Sequence, residues 1–491
     1  MKRPRFNILS PKADNATSGQ KNPWTKLLAR TVWLAPTLGV SAAAVLLILF
    51  SITHAAQAQT TQLQQEAGTA IGYVVSLLTA LDPTITDVAV TDDQLASTGV
   101  VLDTVPVLIS DPSMLIVDDD KVQCPDAQFT SINAAVSAAP PGATIRVCPG
   151  VYRESVVVDK PLTLQAPRQQ GTATECKTTT SDDPTQEAIV KYNTSLNGGN
   201  PSEGFDVESP NVTIDGFKVE PDVIVISNGV GIFTSRFFAG YDIRHNVVQN
   251  NTIGIYVNSD GSAPTYVREN CSRDNNLGGA ASGNGVYSDQ GLSNAQITNN
   301  YFTGDQNAAI VIDTFLTAPH DIAITHNESV SDGSIGTFAS AGPTAFNLTA
   351  DYNKVIGSVG SGIVTTNVTS SEYAYNDVEN GTFNGVSLHS TSSSVVKSNK
   401  AIGFQLNGIR IGESSDNNTV GTNRAENNVQ AGLAATANSI GNTIQQNHMK
   451  GNSPDCYDDT AGAGTAGTGN SWINDFGFTE NRTGLCKHAT P

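Results

Sequence analysis

The sequence predicts an all-β protein built as a single right-handed parallel β-helix, and three observations carry that prediction. A ladder of asparagines, Asn246, Asn270, Asn300, Asn327, Asn353, Asn376, Asn399, Asn423 and Asn447, recurs at intervals of 24, 30, 27, 26, 23, 23, 24 and 24 residues, each near the end of a short β-like run. A second register, a small residue followed by an apolar one, keeps step with it at Gly231-Ile232, Gly254-Ile255, Gly285-Val286, Ala309-Ile310, Gly362-Ile363, Gly385-Val386, Gly408-Ile409 and Gly432-Leu433. Neither register has a helical period, and only 15% of the residues are charged, so the repeat reads as short strands joined by Asn/Gly turns. Units of this length bury their apolar faces by stacking on one another, about ten to twelve coils in all.

Asparagine suits such corners for two reasons. It tolerates the left-handed backbone region at the lowest cost after glycine, and side-chain amides stacked one coil apart hydrogen-bond along the stack. The ladder is therefore architecture before it is chemistry.

The N-terminus sets the compartment. Lys2, Arg3, Arg5, Lys12, Lys21, Lys26 and Arg30 precede an apolar run from Val32 to Ile52, and Ala56-Gln57-Ala58 follows as a small-residue cleavage site. Residues 1–58 read as a signal peptide or, given the length of the run, as an uncleaved signal anchor. Both place the remainder outside the cytoplasm, secreted or at the cell surface. Removing 1–58 takes away seven basic residues and one acidic one, which moves the net charge from −19 to −25. Such a body repels nucleic acid and anionic membrane surfaces, so no nucleic-acid partner and no membrane contact beyond the N-terminal segment are expected. A monomer is expected.

All six cysteines lie in the exported part, and their even count without metal-ligand spacing reads as disulfides. Cys124 and Cys148 bracket the first coil, Cys456 and Cys486 the last ordered stretch, and each pair is expected to bond. For Cys176 and Cys271 the spacing settles nothing.

Along the chain, 59–113 reads as a spacer with little structure of its own, 114–454 as the β-helix and 455–491 as a C-terminal cap. From Thr130 to Ala139, Ile132, Ala135, Val136 and Ala139 recur at helical spacing behind a Thr/Ser N-cap and ahead of Pro140-Pro141-Gly142. That short amphipathic helix would plug the open N-terminal coil. At the other end, Trp472, Phe476 and Phe478 would cover the last coil, held by the Cys456–Cys486 bridge.

After the plug come Gly150, Tyr152 and Glu154 in a G-x-Y-x-E pattern. An Ala-rich helix, a Pro-Gly turn and this motif, in that order, resemble the opening of pectin methylesterases and many other members of the pectin-lyase-like β-helix superfamily. In this chain Tyr152 is expected to pack over the plug and Glu154 to enter a salt bridge. The coils from Phe205 to Asn452, opening regularly at Asn211-Val212-Thr213-Ile214-Asp215-Gly216-Phe217, resemble repeats of secreted bacterial carbohydrate-active proteins and of periplasmic copper-insertion accessory proteins. The resemblance implies a protein that binds or processes extracellular polysaccharide or cell-wall glycan, as a polysaccharide lyase or glycoside hydrolase if it is an enzyme. Against a specific activity, the further aspartate motifs and the Arg-Pro-Trp stretch of pectin methylesterases are missing. So are the Asn-Thr-Asp and Gly-His-Gly of polygalacturonases and the Asp-Pro-His of mannuronan epimerases. The alternative is a non-catalytic structural or adhesive solenoid. Seven histidines and three methionines with no ligand spacing give copper little support.

Strand alternation nominates a site. With Ile255, Val286, Ile310, Val386 and Ile409 inward, the residues one and three positions later face outward from one sheet: Tyr256 and Asn258, Tyr287 and Asp289, Val311 and Asp313, Ser387 and His389, and Arg410. Asp289 and Asp313, about 4.8 Å apart on neighbouring strands, are the candidate catalytic pair or, as hard oxygen ligands, a Ca²⁺ pair. Tyr256, Asn258 and Tyr287 would bind substrate beside them, with His389 and Arg410 reaching a long polymer further on. No other cofactor is implied. Extra length in the 30-residue coil, Ser272 to Asn284, would wall the site, and in the irregular coil after Asn327 either Phe338 or Phe346 is expected to point inward.

Overall fold

The structure is a computed structural model that describes residues 114–167, 176, 182–193, 202–223, 228–313, 317–338, 342–436 and 438–488. The signal or anchor segment (1–58) and the spacer (59–113) lie outside the described residues.

The regular coils each pass through three parallel sheets. The first sheet has 12 strands and runs from Val156–Val158 to Cys456–Asp458; the second has 15, and its path runs from Met114–Val117 to Ser471–Ile473; the third has 12, from Gly150–Tyr152 to His448–Lys450. The result is one right-handed parallel β-helix with a single continuous core. Its clearest row runs through Ile232, Ile255, Val286, Ile310, Ile335, Ile363, Val386, Ile409 and Leu433, each in register with the next and each at most 1% exposed. Burying one such side chain stabilises the fold by roughly 1.5–3 kcal/mol. In the irregular coil Ile335 holds this place, not Phe338 or Phe346; Phe346 is exposed and stacks on His320.

The small residue before each core residue has a steric origin. A Cβ on Gly254 would lie 2.6 Å from the Gly285 carbonyl oxygen, and one on Gly385 would lie 2.5 Å from that of Gly408. Glycine there is what lets consecutive coils stack closely.

The asparagine ladder stands at the corner between the second and third sheets. The backbone N–H and Nδ2 of Asn246 donate to Asn270 Oδ1 at 3.0 and 3.1 Å, while Nδ2 also donates to the Ile214 carbonyl at 2.9 Å. The pattern repeats to Asn447, whose two groups donate to Asp475 Oδ1 at 2.9 and 2.8 Å. Left-handed backbone, expected of these asparagines, belongs instead to the residue before each: His245, Glu269, Asn299, His326, Tyr352, Tyr375, Ser398, Thr422 and Gln446 all have φ between 54 and 58. The preceding residue makes the bend, which frees the asparagine to point inward and bond.

A second ladder lines the corner between the third and first sheets, and there aspartates replace amides. Asn251 donates to Asn275 Oδ1, Asn275 donates through N–H and Nδ2 to Asp305 Oδ1 at 2.9 and 3.0 Å, and the Asp305 N–H donates to Asp332 Oδ1 at 2.7 Å. Both aspartates are wholly buried.

The ends are closed as the helix and cap patterns imply. The plug helix spans Ile132–Ala138 with Ser131 as N-cap. Glu154, expected in a salt bridge, instead accepts from the N–H groups of Ile132 and Asn133 at 2.7 and 3.0 Å and from Ser131 Oγ at 2.8 Å, meeting the open donors of the helix N-terminus. Tyr152 is buried, its hydroxyl donating to the Cys148 carbonyl at 2.8 Å. At the far end Trp472 is 5% exposed and its indole N–H donates to Asp458 at 2.8 Å. Phe476 stacks on His448, whereas Phe478 is 49% exposed. Cys124–Cys148 and Cys456–Cys486 are bonded with Cα atoms 6.3 Å apart, and Cys176–Cys271 is bonded as well, over the third sheet beside Tyr301. Three disulfides place the chain in an oxidising, extracytoplasmic compartment.

The ladder aspartates make stability depend on pH. Burial pushes both carboxyls well above the ordinary carboxylate range, mutual repulsion adds to it at Asp332, and the hydrogen bonds from Asn275, Ser272 and Ser329 pull the other way without prevailing. A carboxyl whose pKa rises on folding stabilises the fold in acid, and that contribution fades as pH climbs from the ordinary carboxylate range through the raised values. Asp305→Asn, which restores the amide used elsewhere in the ladder, should stabilise the protein by about 1–3 kcal/mol at pH 8.5. Denaturant melts should show that gain shrinking towards pH 5; an equal effect at both pH values would refute the assignment.

Candidate functional site

The outer face of the first sheet carries a strip of aromatic and acidic side chains. One column runs in register through Asp206, Phe233, Tyr256, Tyr287, Val311, Gly336, Val364, Ser387 and Arg410. The rings of Phe233 and Tyr256, and of Tyr256 and Tyr287, have centroids 5.3 Å apart. Further along, Phe338 folds over the bare Cα of Gly336, where a Cβ would meet the ring at 2.1 Å. The sheet thus presents a row of aromatic rings from Phe233 to Phe338, interrupted by Val311.

Asp289 and Asp313 are neighbours beside this ribbon, because Ser288 and Ile312, one residue earlier, are paired. Asp289 is held by both tyrosines: the Tyr256 hydroxyl donates to one carboxylate oxygen and the Tyr287 hydroxyl to the other at 3.0 Å, while Gln290 Nε2 donates to the Tyr256 oxygen at 2.8 Å. Burial first, and then the Asp289 carboxylate, push both phenols well above their ordinary range. Asn258 departs from expectation. It is fully buried, with Ser288 Oγ and the Gln290 N–H donating to its side-chain oxygen at 3.2 Å, so it braces the strand end and offers nothing to a ligand. The loop from Asp274 to Gly283 turns back to Asn228, which exchanges hydrogen bonds with Gly278 and Ala280 at the entry to the strand Gly229–Thr234.

Three acids at the upstream end of the strip were not nominated from the sequence. On the strand Ser202–Val207 and just after it, Glu203, Asp206 and Glu208 lie together, and Asp206 continues the Phe233 column. Burial, followed by the charges of Asp206 and Glu208, raises Glu203 to about 7; burial and Glu208 raise Asp206 to about 6. Asp206 Oδ1 is buried with no hydrogen-bond partner among the described residues. The signal was Gly204-Phe205, which continues the small-apolar register one coil above Gly231-Ile232.

His389 and Arg410 sit apart from Asp289, four strands along the same face, and touch each other. His389 Nδ1 lies 3.0 Å from Glu413 Oε2 and 3.4 Å from Arg410 Nη1, and His389 Nε2 lies 2.9 Å from Ser387 Oγ. Arg410 reaches Glu413 at 3.5 Å. His389 and Arg410 together hold the Glu413 carboxyl below its usual range.

Comparison with known proteins matches residues 269–481 to the family described as periplasmic copper-binding protein (NosD). No curated protein matches the chain in sequence. Among solved structures, the Dettilon tailspike protein is similar at a TM-score of 0.52 and 12% identity, covering 71% of this chain and 69% of its own. The Azotobacter vinelandii mannuronan C-5 epimerase AlgE6 A-module gives 0.43 at 12%, over 73% and 93% of the two chains. The catalytic unit of the Streptomyces thermodiastaticus GH87 α-1,3-glucanase gives 0.45 at 13%, over 76% and 69%. The chain is a right-handed parallel β-helix of pectin-lyase-like fold.

The Asp289 clamp is open to a direct check. Removing its charge by Asp289→Asn should let Tyr256 and Tyr287 ionise at lower pH, seen as two tyrosines moving to an earlier step in an absorbance titration. An unchanged titration would show that burial alone, and not the Asp289 charge, sets where they ionise.

Proposed function

We propose that this protein binds an extracellular polysaccharide along the outer face of the first sheet, and that any processing uses carboxyl groups beside the aromatic ribbon. The observation that carries the reading is the in-register column Asp206, Phe233, Tyr256 and Tyr287, continued by Phe338. Rings at successive strands, about 4.8 Å apart, give the apolar faces of a sugar chain an extended surface, and carboxylates alongside accept from its hydroxyls. The acidity of the body favours a neutral glycan. Glu203, raised to about 7, holds its proton near neutral pH as a general acid must. Asp289 and Asp313 remain the carboxylates at the centre of the ribbon; with both Asp289 oxygens taken by phenols, accepting a sugar hydroxyl suits it better than ligating Ca²⁺.

Copper does not fit the residues. Among the described residues the metal-compatible group of three or more is Asp118, Asp119 and Asp120, an all-oxygen set that precedes the matched coils. His320, His326 and His448 are stacked on aromatic rings, and Met449 is buried in the core. Copper prefers imidazole and thioether donors, and here these are dispersed.

The rival reading, a structural solenoid, draws on the unbroken amide ladder, and one experiment separates the two. Calorimetry against neutral plant, algal and bacterial polysaccharides should find a binder, and Tyr256→Ala with Tyr287→Ala should weaken it about 10- to 100-fold, some 1.4–2.8 kcal/mol. Reducing ends and unsaturated-product absorbance then separate hydrolysis from elimination, and Glu203→Gln should stop either while sparing binding. If no polysaccharide binds, or the double variant binds equally well, the reading is wrong.

A further inference from the structure

Four strands beyond Asp289 on the same face, three residues stand in the order that ester hydrolysis requires. Ser387 Oγ is 2.9 Å from His389 Nε2, and His389 Nδ1 is 3.0 Å from Glu413 Oε2. We propose that Ser387, His389 and Glu413 form a nucleophile, base and positioning acid that hydrolyse carboxylic esters, the natural class being O-acyl groups on a glycan held along this sheet. The hydrolytic inference stands on its own geometry; the glycan assignment rests on the polysaccharide reading above.

The chemistry follows from the placement. Glu413, kept ionised by His389 and Arg410, is the nearer partner of Nδ1, 3.0 Å against 3.4 Å for the Arg410 donor. The relay needs the proton on Nδ1 facing Glu413, with Arg410 turned off that nitrogen, so that Nε2 accepts from the serine hydroxyl. As Oγ adds to the ester carbonyl carbon, Nε2 takes its proton. The carbon–oxygen bond to the alcohol then breaks, and His389 returns the proton to the departing oxygen. A water molecule opens the acyl-serine by the same route, leaving a carboxylic acid and the original serine.

Features of the surrounding coils look built for this arrangement rather than for a solvated ladder. Glu413 and Ser414 are consecutive left-handed residues, φ 54 and 61, at the end of the strand Ile409–Gly412; two such non-glycine residues in a row cost backbone energy and turn the carboxylate back over His389. Gly412 leaves the space taken by the Arg410 guanidinium, whose atoms a Cβ there would meet at 2.6–2.7 Å. Asn384 has its amide orientation fixed by Asn407, whose N–H and Nδ2 donate to its Oδ1 at 3.2 and 2.9 Å. Its own Nδ2 lies 3.4 Å from Ser387 Oγ, a donor beside the position a developing oxyanion would take. Ser387 is itself buried, and the side chain on the adjacent strand is Arg410, held only by contacts of 3.4 and 3.5 Å. Entry of an acyl group to Ser387 requires the Arg410 side chain to turn outward.

The test uses the full exported chain with a fluorophosphonate probe, followed by peptide mass spectrometry, and p-nitrophenyl acetate as substrate. Ser387 should carry the phosphonyl adduct. Ser387→Ala and His389→Ala should each lower kcat by about 10³-fold or more. Glu413→Gln, at an exposed position and with an unchanged melt, should lower kcat at least tenfold with KM retained, a split that a purely structural role would not give. No adduct at Ser387, or turnover equal to that of Ser387→Ala, overturns the proposal. Acetate release from acetylated polysaccharide supports the glycan assignment; turnover of p-nitrophenyl acetate with no such release keeps the relay and overturns the substrate class.

Discussion

Stacking flat coils at strand spacing buries their corners, and a buried corner must still find partners for its backbone N–H and C=O groups. Within the sheets the parallel ladders meet that demand, but at each bend the chain turns away from its neighbours and the ladder fails. Asn246 to Asn447 answer it with one residue type: a single amide accepts from the N–H of the preceding coil, donates to that coil's carbonyl through Nδ2, and passes its own N–H and the second amide hydrogen to the next rung. Each rung is both cap and link, so the spacing between rungs is free to vary from 23 to 30 residues while the corner geometry does not. Length changes are absorbed in the loops between sheets, which is why the inserted segment before Asn284 leaves the core row from Ile255 to Val286 in register.

That constraint explains what was legible in the sequence and what was not. A corner filled by asparagine from Asn246 to Asn447, and a strand entry where glycine recurs because a Cβ would strike the next coil's carbonyl, both leave marks at fixed residue types, and the solenoid could be traced from them. Outward positions leave no such mark. Tyr256, Tyr287, Asp289 and Asp313 followed from alternation alone, but Asn258 did not: a residue at the end of a strand is drawn into the corner, where its amide serves the backbone. Phe338 and Phe346 depart from expectation for a related reason: the coil is irregular, and Ile335 supplies its inward register. Glu203, Asp206 and Glu208 were missed because the small-apolar register was read from Gly231 onward, and the irregular spacing from Gly204 hid the coil above it.

The two populations of perturbed acids in this molecule show how position in the coil decides what a carboxyl can do. Asp305 and Asp332 occupy amide positions inside the ladder, where each carboxylate oxygen already accepts from a backbone or side-chain donor and the side chain is wholly buried. Their raised affinity for protons is a cost of architecture, expressed only as stability. Glu203 and Asp206 owe comparable shifts to partial burial at the outer face, where one Asp206 oxygen is buried with no hydrogen-bond partner among the described residues. Direction of shift alone therefore does not distinguish a structural acid from a working one; the count of donors already satisfied does.

A solenoid also keeps its sites apart. Because each coil leans only on its neighbours, the aromatic ribbon centred on Tyr256 and Tyr287 and the Ser387–His389–Glu413 group, roughly 19 Å further along at four strand spacings, share a face without sharing contacts. Substitutions at such separations act independently unless something spans both. A long polymer is what would span them. If a chain laid on the ribbon extends to Ser387, loss of the tyrosines should weaken action on a polymeric ester while leaving that on a small one untouched, and the fold itself, through the straight register of the first sheet, supplies the track that couples the two.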